Sequence, residues 1–205
     1  MNPASPDGPV NPAALERLLA ERARRTLAIS GFRSAAVLVA VTTGPRPVVI
    51  LTQRGARLPT HRGQIAFPGG KVEPGEDAVR GALREAFEEV ALEPSAARVL
   101  GLMHDVWTPQ GFQVTPVLAS IPADSALEPR AGEVAALLRV PNADLQRITP
   151  REVLHRGPPH GGRWPVGVVE PRRILHYDWR GVDIWGMTAF VIEELLTILD
   201  SSLES

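Results

Sequence analysis

No cysteine occurs in the 205-residue chain, which excludes a disulfide framework and thiolate zinc sites together. Neither charge dominates: 22 Lys and Arg stand against 23 Asp and Glu, a net charge of −1, so there is no wide electrostatic footprint for nucleic acid or an anionic membrane. A small anionic ligand is compatible with that balance. No apolar run approaches the ~18 residues of a membrane span. Residues 1–12 are rich in Pro, Asn, Ser and Gly and have neither a basic n-region nor an apolar h-region, which predicts a disordered tail and not a signal peptide. The remaining residues, 13–205, fall within the ~250 residues that single domains commonly reach, and no internal repeat divides them. A soluble, cytoplasmic, single-domain protein is the expectation, with neither nucleic acid nor membrane as a partner.

The densest pattern is residues 67–92: Phe-Pro-Gly-Gly-Lys-Val-Glu-Pro-Gly-Glu, then a helix ending Arg84-Glu85-Ala86-Phe87-Glu88-Glu89-Val90-Ala91-Leu92. Val79, Ala82, Leu83, Ala86, Phe87 and Val90 recur at three- and four-residue spacings and form one apolar stripe that is expected to be buried. Glu85, Glu88 and Glu89 stand at i, i+3 and i+4, on one surface roughly opposite that stripe, and are expected to converge. Repulsion at this spacing is only about 0.2–0.5 kcal/mol per pair, so the cluster does not by itself demand a cation. Upstream, Pro68-Gly69-Gly70 and Pro74-Gly75 make two sharp turns where a glycine backbone brings a carbonyl oxygen close to the acidic face. Oxygen ligands alone suit a hard cation, Mg²⁺ or Mn²⁺.

This stretch resembles the Nudix box: Gly, five residues, Glu, seven residues, then Arg-Glu-U-x-Glu-Glu-x-Gly-U, with U bulky and apolar. Gly70, Glu76, Arg84, Glu85, Glu88, Glu89 and Leu92 fall in register. Ala86 is small where a larger apolar residue is usual, and Ala91 replaces the last glycine. A glycine there eases a left-handed helix end; an alanine fits readily only if the chain leaves the helix in an ordinary conformation.

Elsewhere, residues 12–27 read as a first helix with Leu15, Leu18, Leu19, Ala23 and Leu27 along one side and arginines facing water or a partner. Residues 35–41 and 48–52 read as two strands joined by a turn, 99–107 and 113–121 as two more, 174–179 and 182–185 as a last hairpin, and 188–199 as a closing helix. Gly157-Pro158-Pro159-His160-Gly161-Gly162 is expected to be a mobile loop tip with His160 exposed. His104 and Asp105 are expected to be hydrogen-bonded structure or surface. Between the first hairpin and the box lies a basic loop with Arg54, Arg57, His61 and Arg62, whose guanidinium forks suit phosphate oxygens.

That loop is similar to the signature preceding the box in coenzyme A pyrophosphatases, with Leu51, Thr52, Arg54, Gly63, Ile65, Phe67, Pro68, Gly69 and Gly70 fitting. Gly55 stands where that family often has serine, and Pro59 where it often has a second arginine. Trp185-Gly186-Met187-Thr188-Ala189 also resembles the C-terminal segment of the bacterial enzymes.

The resemblance implies an α/β fold, the Nudix α/β/α sandwich, in which a mixed β-sheet carries the Nudix loop–helix–loop at one edge. It implies metal ligation by Glu85, Glu88, Glu89 and the Gly70 backbone, and substrate contacts from Arg54, Arg57, His61, Arg62, Gly69 and Gly70. Bound Mg²⁺ or Mn²⁺ would neutralise the diphosphate and lower the pKa of water. A Glu76–Arg84 ion pair would hold Arg84, which in turn orients Glu85; the proton acceptor stays open among Glu85, Glu88 and Glu133. The expected reaction is hydrolysis of coenzyme A or its thioesters to 3′,5′-ADP and a 4′-phosphopantetheine moiety. The alternatives are another nucleoside diphosphate derivative (NADH, ADP-ribose or a capped RNA end) and a silent nucleotide-binding module. A homodimer is left open.

Overall fold

A computed structural model describes residues 9–55, 63–155 and 172–203. Strand β1, Arg33–Thr42, runs through the centre and explains the layering. Successive side chains of a strand point to opposite faces. Ala35, Val37, Val39 and Val41 accordingly enter one core cluster, and Ala36, Leu38 and Ala40 enter another. Both faces are buried, so the sheet lies between two helical layers.

β1 pairs in parallel with β7, Phe112–Ile121, over ten residues, from Arg33↔Phe112 to Thr42↔Ile121. Its other neighbours, β2 (Val48–Arg54) and β4 (Gly69–Lys71), are antiparallel, which makes the sheet mixed. β3 (Ile65–Ala66) and β8 (Val134–Pro141) pair with β2; β5 (Arg98–Leu102) and β6 (Val106–Thr108) pair with β7. Helix α2, Ala78–Val90, covers the face of Ala36 and Leu38 with Ala82, Ala86 and Val90. On the opposite face lie α1 (Pro12–Glu21) and α4 (Met187–Leu203), with Leu15, Leu19, Ile192 and Leu195 buried there. A three-stranded antiparallel sheet, β9 (Arg151–His155), β10 (Arg172–Trp179) and β11 (Val182–Trp185), contributes Leu175, Tyr177 and Ile184 to the same core. A six-residue helix α3, Asn142–Arg147, links the sheets. Among the described residues no helix is long and apolar enough to cross a membrane.

Three expectations need correction. The first helix stops at Glu21, not at residue 27, because the following backbone is claimed by the strand side: the Arg25 N–H donates to His104 Nδ1 at 3.0 Å and the Leu27 N–H to Asp105 Oδ2 at 2.8 Å. Arg17 and Arg25 are exposed, as expected, whereas two of their neighbours find partners in the fold. Arg22 pairs with Glu194, and Arg24 with the nearly buried Asp105. Residues 99–107 are two strands, interrupted where Asp105 turns to hold Arg24 and Thr115. Phe87 leaves the buried stripe; it is 38% exposed, with the Arg130 guanidinium 5.7 Å from its ring centre. Val10 packs on the core and Asn11 caps α1, while residues 1–8 of the stretch read as a tail lie outside the described residues. The loop tip at 157–162, with His160, also lies outside them.

Candidate active site

Helix α2 begins where Asp77 accepts the Arg80 N–H at 2.8 Å, capping one of the donors that a helix start leaves free. It ends with Ala91 at φ 56° and ψ 28°, the left-handed conformation. The sequence suggested an ordinary exit for an alanine. Instead the Ala91 N–H donates to Phe87 O at 3.0 Å and the Leu92 N–H reaches Ala86 O, so the last carbonyls are satisfied at a local cost of roughly 1–2 kcal/mol.

Between those ends Arg84 is the hub. It donates to Glu76 Oε1 from Nε at 2.9 Å and to Glu76 Oε2 from Nη2 at 3.2 Å, a two-point fork. The same Nη2 donates to Lys71 O at 2.9 Å, and Nη1 donates to Glu85 at 3.0 Å and to Glu88 at 3.2 Å. Arg84 therefore ties the loop before α2, strand β4 and two carboxylates of the helix into one network. Its hydrogen bonds, with the Glu73 backbone N–H, hold the Glu76 carboxyl below its ordinary range. Glu85 moves the other way: burial raises it, Arg84 opposes, and the nearby charges of Glu88 and Glu133 add to the rise.

Glu89 is the most enclosed of the acids, with a side chain only 6% exposed. One oxygen accepts the Gly69 N–H at 3.2 Å and the other lies 3.8 Å from Arg54 Nη1. Burial outweighs both partners and pushes its carboxyl up to about 7, with Glu85 and Glu133 contributing. Glu133 itself is exposed, on the turn before β8, and its carbonyl accepts the Gly55 N–H at 2.8 Å.

Gly69 and Gly70 are required for space. A Cβ on Gly69 would stand 2.4 Å from Ala36 O, and one on Gly70 would stand 2.5 Å from the Glu85 carboxyl carbon. The β4 backbone and the Glu85 oxygens thus form a tight oxygen-lined wall. With only carboxylate and carbonyl oxygens as donors, and two carboxyls raised chiefly by burial and further by neighbouring carboxylates, the residues present fit a hard divalent cation. Glu85, Glu88 and Glu89 do not, however, meet at one point. Arg84 holds the first two, while Gly69 and Arg54 hold the third, and among the described residues no three acidic or histidine side chains form a closed metal-binding group.

Sequence reasoning had Glu85, Glu88 and Glu89 converge, with Glu133 as a supplement; the structure brings Glu85 near Glu88 and Glu133, and Glu89 near Glu85 and Glu133, without gathering all of them at one point. It missed that Glu89 is buried, although Ala82, Ala86 and Glu89 share the i, i+4, i+7 spacing of one face. It also missed the contact of Arg54 with Glu89, for which no local signal exists. Arg57, His61 and Arg62 lie outside the described residues. A groove of about 520 Å³ beside Leu83, Phe87, Glu76 and Arg84 runs along another side of α2 and includes none of Glu85, Glu88 and Glu89.

A model of the NUDIX domain matches residues 32–170. The chain is 40% identical over 167 residues to the uncharacterized Nudix hydrolase NudL of Escherichia coli K12, covering 80% of this chain and 81% of that protein. It is 38% identical over 193 residues to NudL of Cronobacter sakazakii, covering 90% and 94%. Among solved structures, the Nudix hydrolase RenU from M. smegmatis aligns with a TM-score of 0.46 at 26% identity, over 54% of this chain and 71% of that one.

Proposed function

The chain belongs to the Nudix family, as a pyrophosphohydrolase acting on nucleoside diphosphate derivatives, and from that premise we propose that its substrate is coenzyme A or an acyl derivative. The observation that carries this reading is the anchoring of the basic loop. The Arg54 N–H donates to Gln64 O at 3.0 Å and the Gly63 N–H to Arg54 O at 3.1 Å, so the residues flanking the stretch with Arg57, His61 and Arg62 are bonded to one another, and Arg54 among them lies beside Glu89. Coenzyme A differs from most adenine diphosphates in a 3′-phosphate, a dianion that needs cationic partners. Arg57, His61 and Arg62 are assigned to it.

The residues then divide the work. Glu85, Glu88, Glu89 and the Gly70 carbonyl would hold Mg²⁺ or Mn²⁺, which supplies charge neutralisation and acidified water when bound. Arg84 positions Glu85, and Glu76 holds Arg84. Glu85, Glu88 and Glu133 are the candidate proton acceptors, and Glu85 has the enclosed setting that raises a carboxyl toward neutrality.

Turnover of coenzyme A, 3′-dephospho-coenzyme A, NADH and ADP-ribose, with product identification, tests the reading. Coenzyme A is expected to give 3′,5′-ADP and 4′-phosphopantetheine with the highest kcat/KM. Faster cleavage of NADH or ADP-ribose would reject it while sparing the diphosphate chemistry.

A further inference from the structure

Arg54 shares a sequence run with Arg57, His61 and Arg62, and by position alone it belongs with them as a reader of the 3′-phosphate. Its place in the fold says otherwise. The residue closes strand β2, where its backbone is fixed on both sides: it bonds to Gln64 and Gly63 and pairs with Val134 of β8. The Cα therefore has little freedom, and the side chain reaches inward to Glu89. At 3.8 Å the guanidinium is within ion-pair range of the carboxylate but beyond a hydrogen bond. Its Nε is buried and has no hydrogen-bond partner. The side chain is one-third exposed, so the fork is neither consumed by the protein nor lost to bulk water.

A rigid five-donor group held beside a carboxylate, with unspent donors, is suited to a doubly anionic partner that carries its own cation. We propose that Arg54 binds the scissile diphosphate next to Glu89 and not the 3′-phosphate, its charge resting on Glu89 until substrate arrives. The inference rests on the reading of the chain as a diphosphate hydrolase. The ribose 3′-position and the 5′-diphosphate of coenzyme A are several bonds apart, so a cation within ion-pair distance of Glu89 faces the second group. Arg54 is then a requirement for every substrate and selects none of them.

The test compares the native protein, Arg54→Ala and Arg54→Lys on coenzyme A, 3′-dephospho-coenzyme A and ADP-ribose, and measures Mn²⁺ binding without substrate by electron paramagnetic resonance at about pH 9, where carboxyls are ionised. Arg54→Ala is expected to lower kcat/KM roughly 10- to 150-fold on all three substrates alike, the loss of one charged hydrogen-bond donor. Mn²⁺ should bind about two- to tenfold more tightly to it, because a competing positive charge has left the carboxylate. Arg54→Lys keeps the charge and loses the fork; its Mn²⁺ affinity should match the native protein while turnover still falls severalfold on each substrate. A loss confined to coenzyme A, an absence of loss, or weakened Mn²⁺ binding in Arg54→Ala would each overturn the assignment. Failure of the coenzyme A reading is separate: the native protein would then turn over coenzyme A poorly, and the equality of the losses on the other substrates would still decide the role of Arg54.

Discussion

Glu76 and Arg84 meet through a two-point fork at 2.9 and 3.2 Å, and the far side of the same guanidinium grips Glu85 at 3.0 Å. Glu76 thus acts on Glu85 only through Arg84. Arg84→Ala is expected to lower kcat roughly 10- to 100-fold by releasing Glu85, with little change in KM. Glu76→Gln, which leaves Lys71 O still holding Arg84, should be milder than Glu85→Gln. Steady-state kinetics of the three variants check the order, and an equal loss for Glu76→Gln would contradict it.

Glu89→Gln is expected to abolish most activity in Mg²⁺ or Mn²⁺ while circular dichroism stays native, since an anionic ligand is lost and no cavity is opened. Excess chelator should silence the native protein likewise. Full turnover in chelator would refute the metal dependence.

The enclosure of Glu89 has a second readout, in stability. Its folded carboxyl titrates at about 7 against an ordinary 4.5, so the protonated form favours the fold. The stabilisation is present in full below pH ~4.5 and is lost as pH rises through about 7. In metal-free protein, Glu89→Gln should therefore be the more stable at about pH 8, by on the order of 1–3 kcal/mol, and the two should converge near pH 5. Urea melts at both pH values measure this, and a native protein more stable at the higher pH would reverse the sign.

Neighbouring glycines should fail differently. On Gly69 an added Cβ meets backbone, Ala36 O at 2.4 Å and Val37 Cα at 2.6 Å, so Gly69→Ala is expected to cost at least roughly 1–3 kcal/mol of stability. On Gly70 it meets only the movable end of Glu85 at 2.5 Å, so Gly70→Ala should fold and lose turnover by displacing that carboxylate. Melting temperature and kcat, taken together, separate the two.

Asp105 accepts the Thr115 hydroxyl at 2.7 Å and the Leu27 N–H at 2.8 Å and pairs with Arg24. Asp105→Ala is expected to destabilise by roughly 2–4 kcal/mol, because it strands a partly buried arginine and frees the segment after α1. The kcat of the folded fraction should not change.

Much of this arrangement is legible in the chain. The unbroken apolar run from Ala35 to Val41 marks a strand buried on both faces once α2 and the terminal helices are recognised as its covers. The spacing of Arg84, Glu85, Glu88 and Glu89 fixes which carboxylates neighbour one another. Long-range competition is what escapes such a reading. Leu27 continues the apolar period of α1, yet Asp105, 78 residues away, takes its backbone N–H. Phe87 fits the stripe, yet Arg130 offers it a cation at the surface. The short α3 and β9 carry too few residues for a period to stand out. Arg54 could be placed in a phosphate-binding loop, but only the end of β2 shows that it faces Glu89.

The parallel pairing of β1 with β7 has a consequence for how the protein comes to be active at all. Helix α2 and all of its carboxylates lie in the crossover between those strands, which runs from Thr42 at the end of β1 to Phe112 at the start of β7. No tight hairpin can nucleate such a pair; the loop must close before its contacts reward it, which makes this step slow. Refolding followed at once by circular dichroism and by turnover should therefore show helix signal ahead of activity, with catalysis appearing only in the last phase.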